Sequence, residues 1–378
     1  MGRRFKVIIN YNYDENWIGG TYYVENLIHA LNLLSDEEQP ALYIKSNNIN
    51  ATEILFKKTA YKYLTVHTTY SNLSKIKRAL NKFCKQIFQR NIFSPFEQYD
   101  LEFPGLFSEK ENFKNKLFWI PDFQEKHLPN FFTPEDISYR DSIYTTIQNC
   151  AYAVVFSSED AKKDFNLFYP HAKPKQFVLN FSTHHQIDIL PQKDIVLSKY
   201  RIKNDYFLCS NQFWTHKNHI VILNAIKELK DKNIDITVVF TGKESDYRNP
   251  DYFKNLQSAV VDLDIASNVK FLGFISREDQ IVLLQNCLAI IQPSLFEGWS
   301  TVHEDAKAEN VFILASDINV NLEQLKHYPN KRFFDPHNPA DLCTKIQLGN
   351  FSKTSFNYLD SQLSFGKNFT DIIKKIIR

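Results

Sequence analysis

The stretch Cys287–Asn310, CLAIIQPSLFEGWSTVHEDAKAEN, decides how the rest of the chain is read. Leu288 to Ile291 is an unbroken apolar run of strand length, the pattern of a strand buried on both faces of a parallel sheet. Pro293, an acid at Glu297 and a glycine at Gly298 interrupt it, and a helical pattern begins at Thr301. Open α/β sheets bind ligands just outside the carboxyl ends of their strands, which is where Glu297 falls. Thr301 followed three residues later by Glu304 matches a capping box, so Glu304 has a structural role. Asp305, one turn into the helix, is left for other work. The amides of Ser300 to Val302, at the positive end of the helix dipole, form an anion site suited to a phosphate. Glu297 and Asp305 then flank that phosphate, each able to accept hydrogen bonds from hydroxyl groups, a sugar at one end and a ribose at the other. Taken alone, the same residues are equally well an exposed helix start with acids favoured by the dipole.

Working outward, short apolar runs alternate with amphipathic segments. Val7 to Ile9 precedes a helical pattern through Val24, Leu27, Leu31 and Leu34, and Ala41 to Ile44 follows it. Strand-like runs recur at Leu117 to Ile120, Ala153 to Phe156, Phe207 to Cys209, Thr237 to Phe240, Val269 to Leu272 and Val311 to Ala315. This alternation predicts an α/β protein with parallel sheets covered by helices. At 378 residues and 43% hydrophobic content the chain exceeds a typical single core. The pattern weakens between Asn180 and Asn204, which places a junction there and gives domains at 1–190 and 191–360. A terminal helix, 361–378, carries Phe369, Ile372, Ile373, Ile376 and Ile377 at helical spacing and is expected to pack back across the junction.

The 45 basic and 43 acidic residues nearly cancel, so the overall charge asks for no nucleic acid. Five cysteines, odd in number and free of CxxC spacing, argue against a disulfide framework or a zinc site and favour a reducing cytoplasm. The opening apolar run is too short for a signal peptide, and no run approaches the roughly 18 apolar residues of a membrane span. One basic amphipathic segment, Lys75 to Arg90, offers a peripheral contact with an anionic inner-membrane surface, or else a core-facing stripe with a solvated charged face.

The motif PSLFEGWSTVHEDAKAEN resembles the donor site of the family 4 retaining nucleotide-sugar glycosyltransferases, an acid, seven residues and a second acid. That resemblance implies the GT-B fold, two Rossmann-like domains with parallel sheets facing a central cleft. It implies that Glu297 contacts the donor sugar, Gly298, Trp299, Ser300 and Thr301 the diphosphate, and Asp305, an Asp where the family has Glu, the nucleotide ribose. Asn310 stands where the family has a C-cap glycine and is the next best residue for a left-handed cap. FLCSNQFWTHKNH, residues 207–219, is similar to the family's first strand and loop of the second domain, with Lys217 in the place of a diphosphate-binding Lys. Gln212 occupies the place of the accompanying Arg, so part of that charge is expected from His216 or His219. Gly19 and Gly20, read as standing immediately before a helix, match the family's Gly pair facing the donor. WIPDFQEKHLP, residues 119–129, resembles the segment that carries a His-Asp pair. Asp122 keeps the Asp place as an acceptor- or sugar-orienting residue, Pro121 replaces the His, and His127 lies nearby.

The implied activity is a metal-independent hexosyltransferase with no cofactor, using a UDP- or GDP-type sugar. The acceptor is a glycan or lipid-linked glycan of bacterial surface polysaccharide, O-antigen or capsule, in lipopolysaccharide-type assembly. A nucleotide-sugar epimerase and a non-catalytic glycan-binding GT-B protein are the alternatives.

Overall fold

A computed structural model describes residues 3–11, 18–46, 48–66, 99–107, 115–185 and 189–377. The basic segment Lys75 to Arg90 lies outside the described residues. In chain order the first elements are β1 (Lys6–Asn10), α1 (Ile18–Asn32), β2 (Ala41–Lys45), α2 (Ile49–Thr59), β3 (Leu64–Val66), β4 (Leu101–Phe103) and β5 (Leu117–Ile120). Next come α3 (Gln124–His127), α4 (Pro134–Cys150), β6 (Ala153–Phe156), α5 (Glu159–Phe168), β7 (Lys175–Val178), α6 (Lys193–Lys199), β8 (Phe207–Ser210), α7 (His219–Asp231) and β9 (Val238–Thr241). The chain ends with α8 (Tyr252–Asp262), β10 (Val269–Phe271), α9 (Arg277–Asn286), β11 (Ile290–Gln292), α10 (Thr301–Ala308), β12 (Ile313–Ser316), α11 (Asn319–Gln324), β13 (Lys331–Phe334), α12 (Pro339–Gln347) and α13 (Leu359–Ile377).

The chain divides into two compact units. The first comprises Met1–Pro121, Arg140–His184 and Leu359–Arg378, and the second Asp122–Tyr139 and His185–Tyr358. By chain order 122–139 belongs with 1–190, yet it packs in the second unit. The physical reason is a set of contacts there: Arg248 reaches Gln124 Oε1 at 3.3 Å and lies over the Phe132 ring.

In the first unit a parallel sheet runs β3-β2-β1-β4. A parallel bridge between Glu102 and Lys116, with Gly105 N–H donating to Leu117 C=O, carries the order on into β5-β6-β7. Val7 and Ile9 of β1, Leu42 and Ile44 of β2 and Leu101 of β4 are fully buried, as central parallel strands covered on both faces require. The apolar stripe of α13, Phe365, Phe369, Ile372, Ile373 and Ile376, joins the core under α1. Gly366 makes that approach close, since a Cβ there would lie 2.6 Å from the Ala30 carbonyl oxygen.

In the second unit six parallel strands run β10-β9-β8-β11-β12-β13. Leu208 of β8 stands opposite Val239 on one side and Ile290 on the other. Both sheets thus begin with the Rossmann order 3-2-1-4 counted from their own first strand. The fold is α/β with two Rossmann-like domains, the GT-B class.

Candidate active site at the carboxyl ends of β8 and β11

Strand order in the second unit reverses between β8 and β11. Connections leaving this pair turn to opposite sides, which opens a crevice at their carboxyl ends. Two loops line it, residues 211–218 after β8 and residues 293–300 after β11. They are cross-linked by buried polar groups. Asn211 Nδ2 donates to Gln292 Oε1 at 2.8 Å, and Leu295 N–H donates to the His216 carbonyl at 2.8 Å. Asn218, in the left-handed conformation at φ 54°, donates from Nδ2 to the carbonyls of Pro293 at 3.1 Å and Pro336 at 2.7 Å. With both loops fixed, Lys217 and Glu297 meet.

Oε1 of Glu297 accepts from Lys217 Nζ at 2.6 Å, Ser294 Oγ at 2.6 Å and Gln292 Nε2 at 2.9 Å. Oε2 takes no hydrogen bond among the described residues. Burial works to raise the Glu297 pKa, but the charge and hydrogen bond of Lys217 and the Ser294 hydroxyl outweigh it, so the carboxylate is held below its ordinary range. The group is therefore an anion with one anchored oxygen and one available acceptor.

Helix α10 starts differently from the sequence expectation. Its N-cap is Ser300, whose hydroxyl accepts from His303 N–H at 3.3 Å, and Thr301 is the first helical residue. Glu304 therefore does not close a capping box. It is fully buried and binds Lys307 Nζ at 2.7 Å, Gln324 Nε2 at 2.9 Å and Tyr358 Oη at 2.7 Å. Gln324, which the sequence did not single out, brackets the helix start: its Oε1 accepts from Ser300 N–H at 3.0 Å and its Nε2 donates to the Ser300 carbonyl at 2.8 Å. Of the three amides expected to face an anion, the Ser300 amide is thus occupied, and those of Thr301 and Val302 have no partner among the described residues.

The imidazoles expected to supply charge do not. His216 and His219 are 4% and 1% exposed, and burial with the nearby Lys217 charge pushes both below the ordinary histidine value, His219 to about 3. His303, fully buried with Nδ1 3.3 Å from Gln324 Oε1, is pushed down to about 4 by burial. All three are neutral near pH 7, which leaves Lys217 as the charged donor to Glu297.

Asp305 lies on α10 one turn beyond Thr301 and is held by two cations. Arg277, the first residue of α9, forms a bidentate pair with it, Nη1 to Oδ2 and Nη2 to Oδ1, both at 2.7 Å. His185 Nε2 lies 2.9 Å from Oδ1, and its Nδ1 lies 2.6 Å from Glu309 Oε1. Burial opposes the His185 charge, but hydrogen bonds to both carboxylates outweigh it and raise its pKa. Burial likewise opposes the Asp305 charge, yet Arg277 and His185 hold it well below the usual carboxylate range.

Among the remaining expected residues, Gly298, Trp299 and Thr301 are half-buried in or after the β11 loop, and Gln212 is half-buried in the β8 loop. Asp122 Oδ1 accepts from Gln124 N–H at 3.2 Å at the start of α3. His127 of α3 places its ring 5.3 Å from that of Phe296, the neighbour of Glu297. Gly19 and Gly20 do not precede a helix but lie in the first turn of α1, Gly19 exposed with open space where a Cβ would stand. Asn310 adopts φ 53°, the left-handed cap expected of it.

Comparison with known proteins follows the same lines. Residues 192–348, most of the second unit, match the family Glycosyl transferases group 1. The O-antigen chain mannosyltransferase RfbU of Salmonella typhimurium is 24% identical over 216 residues, 56% of this chain. The aligned stretch spans 55% of that relative's length. Among solved structures, a glycosyltransferase from Rickettsia africae superposes with a TM-score of 0.62 at 14% identity, covering 100% of this chain and 94% of the other. Anabaena HepE in complex with UDP and glucose gives 0.59 at 14% identity, over 99% and 96% of the two chains. WaaG, a glycosyltransferase involved in lipopolysaccharide biosynthesis, gives 0.61 at 10% identity, over 98% and 99%. These likenesses extend over both units and establish the fold.

Proposed function

We propose that this protein is a retaining glycosyltransferase that moves a hexose from a nucleoside diphosphate sugar to an acceptor hydroxyl, in the assembly of a bacterial surface polysaccharide. The observation that carries the reading is the asymmetry of Glu297. One oxygen is fixed by Lys217, Gln292 and Ser294, and the other is left to accept from a sugar hydroxyl at the carboxyl ends of β8 and β11. The matched family and the relative RfbU support the reaction class.

In this reading the bond between the sugar's anomeric carbon and the diphosphate oxygen breaks as the bond to the acceptor oxygen forms on the same face. The acceptor proton passes to the departing phosphate oxygen. No strong base is required, and charge stabilisation of the leaving diphosphate is the main demand. Lys217 and the amides of Thr301 and Val302 meet it, with Gly298 and Trp299 shaping the loop around the phosphates and Gln212 adding a neutral polar contact. Asp122 orients the acceptor hydroxyl or the sugar, and Asp305 marks the ribose end. Gly19 and Gly20 are assigned to donor binding. The donor is of the UDP or GDP type. The acceptor is a glycan or lipid-linked glycan, and contact with a membrane surface is assigned to Lys75 to Arg90.

The test is a thermal-shift screen of UDP, GDP and their sugars, followed by measurement of nucleoside diphosphate release with and without glycan acceptors. A nucleotide that binds the native state raises Tm according to its affinity and concentration. Release that depends on both Glu297 and an acceptor supports transfer. Isomerised donor without an acceptor would replace the reading with epimerisation, and binding without turnover would leave a non-catalytic protein.

A further inference from the structure

The long segment of the second unit begins at His185 and ends at Tyr358. Both end residues are bound to one helix, α10, through its consecutive acids Asp305 and Glu304. At the entry, His185 Nε2 lies 2.9 Å from Asp305 Oδ1 and Nδ1 lies 2.6 Å from Glu309 Oε1. Burial opposes ionisation of both carboxyls. Arg277 and His185 at Asp305, and His185 and Gln285 at Glu309, nevertheless hold them below the usual carboxylate range. An ionised carboxylate only accepts hydrogen bonds, so both ring nitrogens of His185 donate and the imidazole carries a second proton. The other groups packed there come from α9: Arg277, paired with Asp305, and Gln285, which donates to Glu309 Oε2 at 2.8 Å. At the exit, Tyr358 Oη donates to Glu304 Oε2 at 2.7 Å. Glu304 Oε1 accepts from Gln324 Nε2 at 2.9 Å, and Gln324 in turn brackets Ser300, the N-cap of α10. The exit is thus tied through Glu304 and Gln324 to the turn assigned to the phosphates, and the entry is tied directly to the acid assigned to the ribose.

Resting on the donor-site reading above, we propose that α10 couples donor binding to the hold on both ends of this segment, with His185, as an imidazolium, and Tyr358 as positioning residues. Neither touches the donor. Asp305 accepts three hydrogen bonds where a carboxylate has room for about four, so His185 orients it without displacing a ribose hydroxyl. A ligand that needs Ser300 and Asp305 in place stabilises the bonds that place them, and by linkage those bonds tighten the ligand by the same factor. The entry bond also depends on a proton. Burial works against the His185 charge, but its two carboxylate partners outweigh that and raise its pKa, so the charge persists through neutral pH and is lost as pH rises further.

The test is calorimetry of UDP and GDP binding between pH 7 and pH 9, above the second ionisation of a phosphate, for wild type, His185→Gln and Tyr358→Phe. Wild-type binding is expected to weaken by about 5- to 10-fold across that range as His185 loses its proton. His185→Gln should show the weaker affinity already at pH 7 and keep it at pH 9. Tyr358→Phe should weaken binding by about 5-fold and retain the wild-type pH dependence. A loss of folded stability alone would not flatten the pH profile. Hydrogen exchange on the wild type needs no variant and holds the proposal to account if either one does not fold. A bound nucleotide should slow exchange in the peptides containing His185 and Tyr358 as well as in the loops after β8 and β11. Wild-type affinity and pH profile in both variants would overturn the inference, and so would protection confined to the two loops. Failure of the wild type to bind either diphosphate would instead remove the donor-site reading on which it rests.

Discussion

The two oxygens of Glu297 are not equivalent, and that difference gives the sharpest test at the level of single residues. Glu297→Gln keeps the shape and an acceptor oxygen but discharges the partner of Lys217. Loss of a preorganised charged contact of this kind lowers kcat by about 10²- to 10³-fold. Nucleoside diphosphate affinity should change little, because Lys217 is released to face the phosphates. A variant with wild-type kcat would refute the role given to Glu297. The buried histidines yield a second test. His303 and His219 have folded-state pKa values of about 4 and about 3 against an ordinary 6.5, so the folded state binds fewer protons than the unfolded chain below that value. Stability is complete above about pH 6.5 and falls as pH drops toward 4, by about 1.4 kcal/mol per pH unit for each such histidine. His303→Gln should remove one histidine's share of that slope, read as the urea midpoint at pH 7 and pH 5. An unaltered slope would show that His303 is already protonated in the fold.

At the scale of elements, the helix and loop contacts around the site depend on residues distant in sequence. Gly242 follows β9 at φ 148°, and a Cβ there would lie 1.9 Å from the Asn211 carbonyl oxygen. Gly242→Ala must therefore move the β8 loop that carries Lys217, and it is expected to cost about 3 kcal/mol or more by chemical denaturation, with weakened nucleotide binding. A fully stable variant would show the loop to be plastic. The same dependence explains what the sequence showed and what it did not. The apolar runs at β1, β8, β9 and β11 were legible because burial on both faces leaves no polar alternation. β4 was not, because it carries Glu102, a carboxylate buried within the sheet and tied to Asn10 Nδ2 at 2.7 Å and Lys116 Nζ at 3.4 Å. β13 was hidden by Lys331 and Arg332, whose Arg side chain bonds the carbonyls of Lys345 and Gly349. Ser300 and Thr301 are both good caps, and Gln324, which decides between them, lies on another helix. The pair Glu297 and Lys217 was visible as motif residues, but its geometry came from Asn211, Asn218 and Gln292, whose partners local spacing does not reveal.

For the whole molecule, the two units draw on the chain unequally. The first is completed only by the last helix, since Phe365, Phe369, Ile372, Ile373 and Ile376 of α13 are buried in the core that contains α1 and β1. At about 2 kcal/mol for each buried side chain, their removal withdraws up to about 10 kcal/mol, comparable with the stability of an entire domain. The second unit closes its own sheet between His185 and Tyr358 without that helix. Deleting residues 359–378 should therefore unfold the first unit and spare the second. In hydrogen exchange, peptides from β1, β2 and α1 would lose protection, while peptides from β8, β9 and β11 keep it. A nucleoside diphosphate that binds the carboxyl ends of β8 and β11 should still protect the second unit's peptides in the truncated chain, because Lys217, Glu297 and the amides of Thr301 and Val302 all belong to that unit. Loss of protection in both units together would show that the second unit's stability depends on the first.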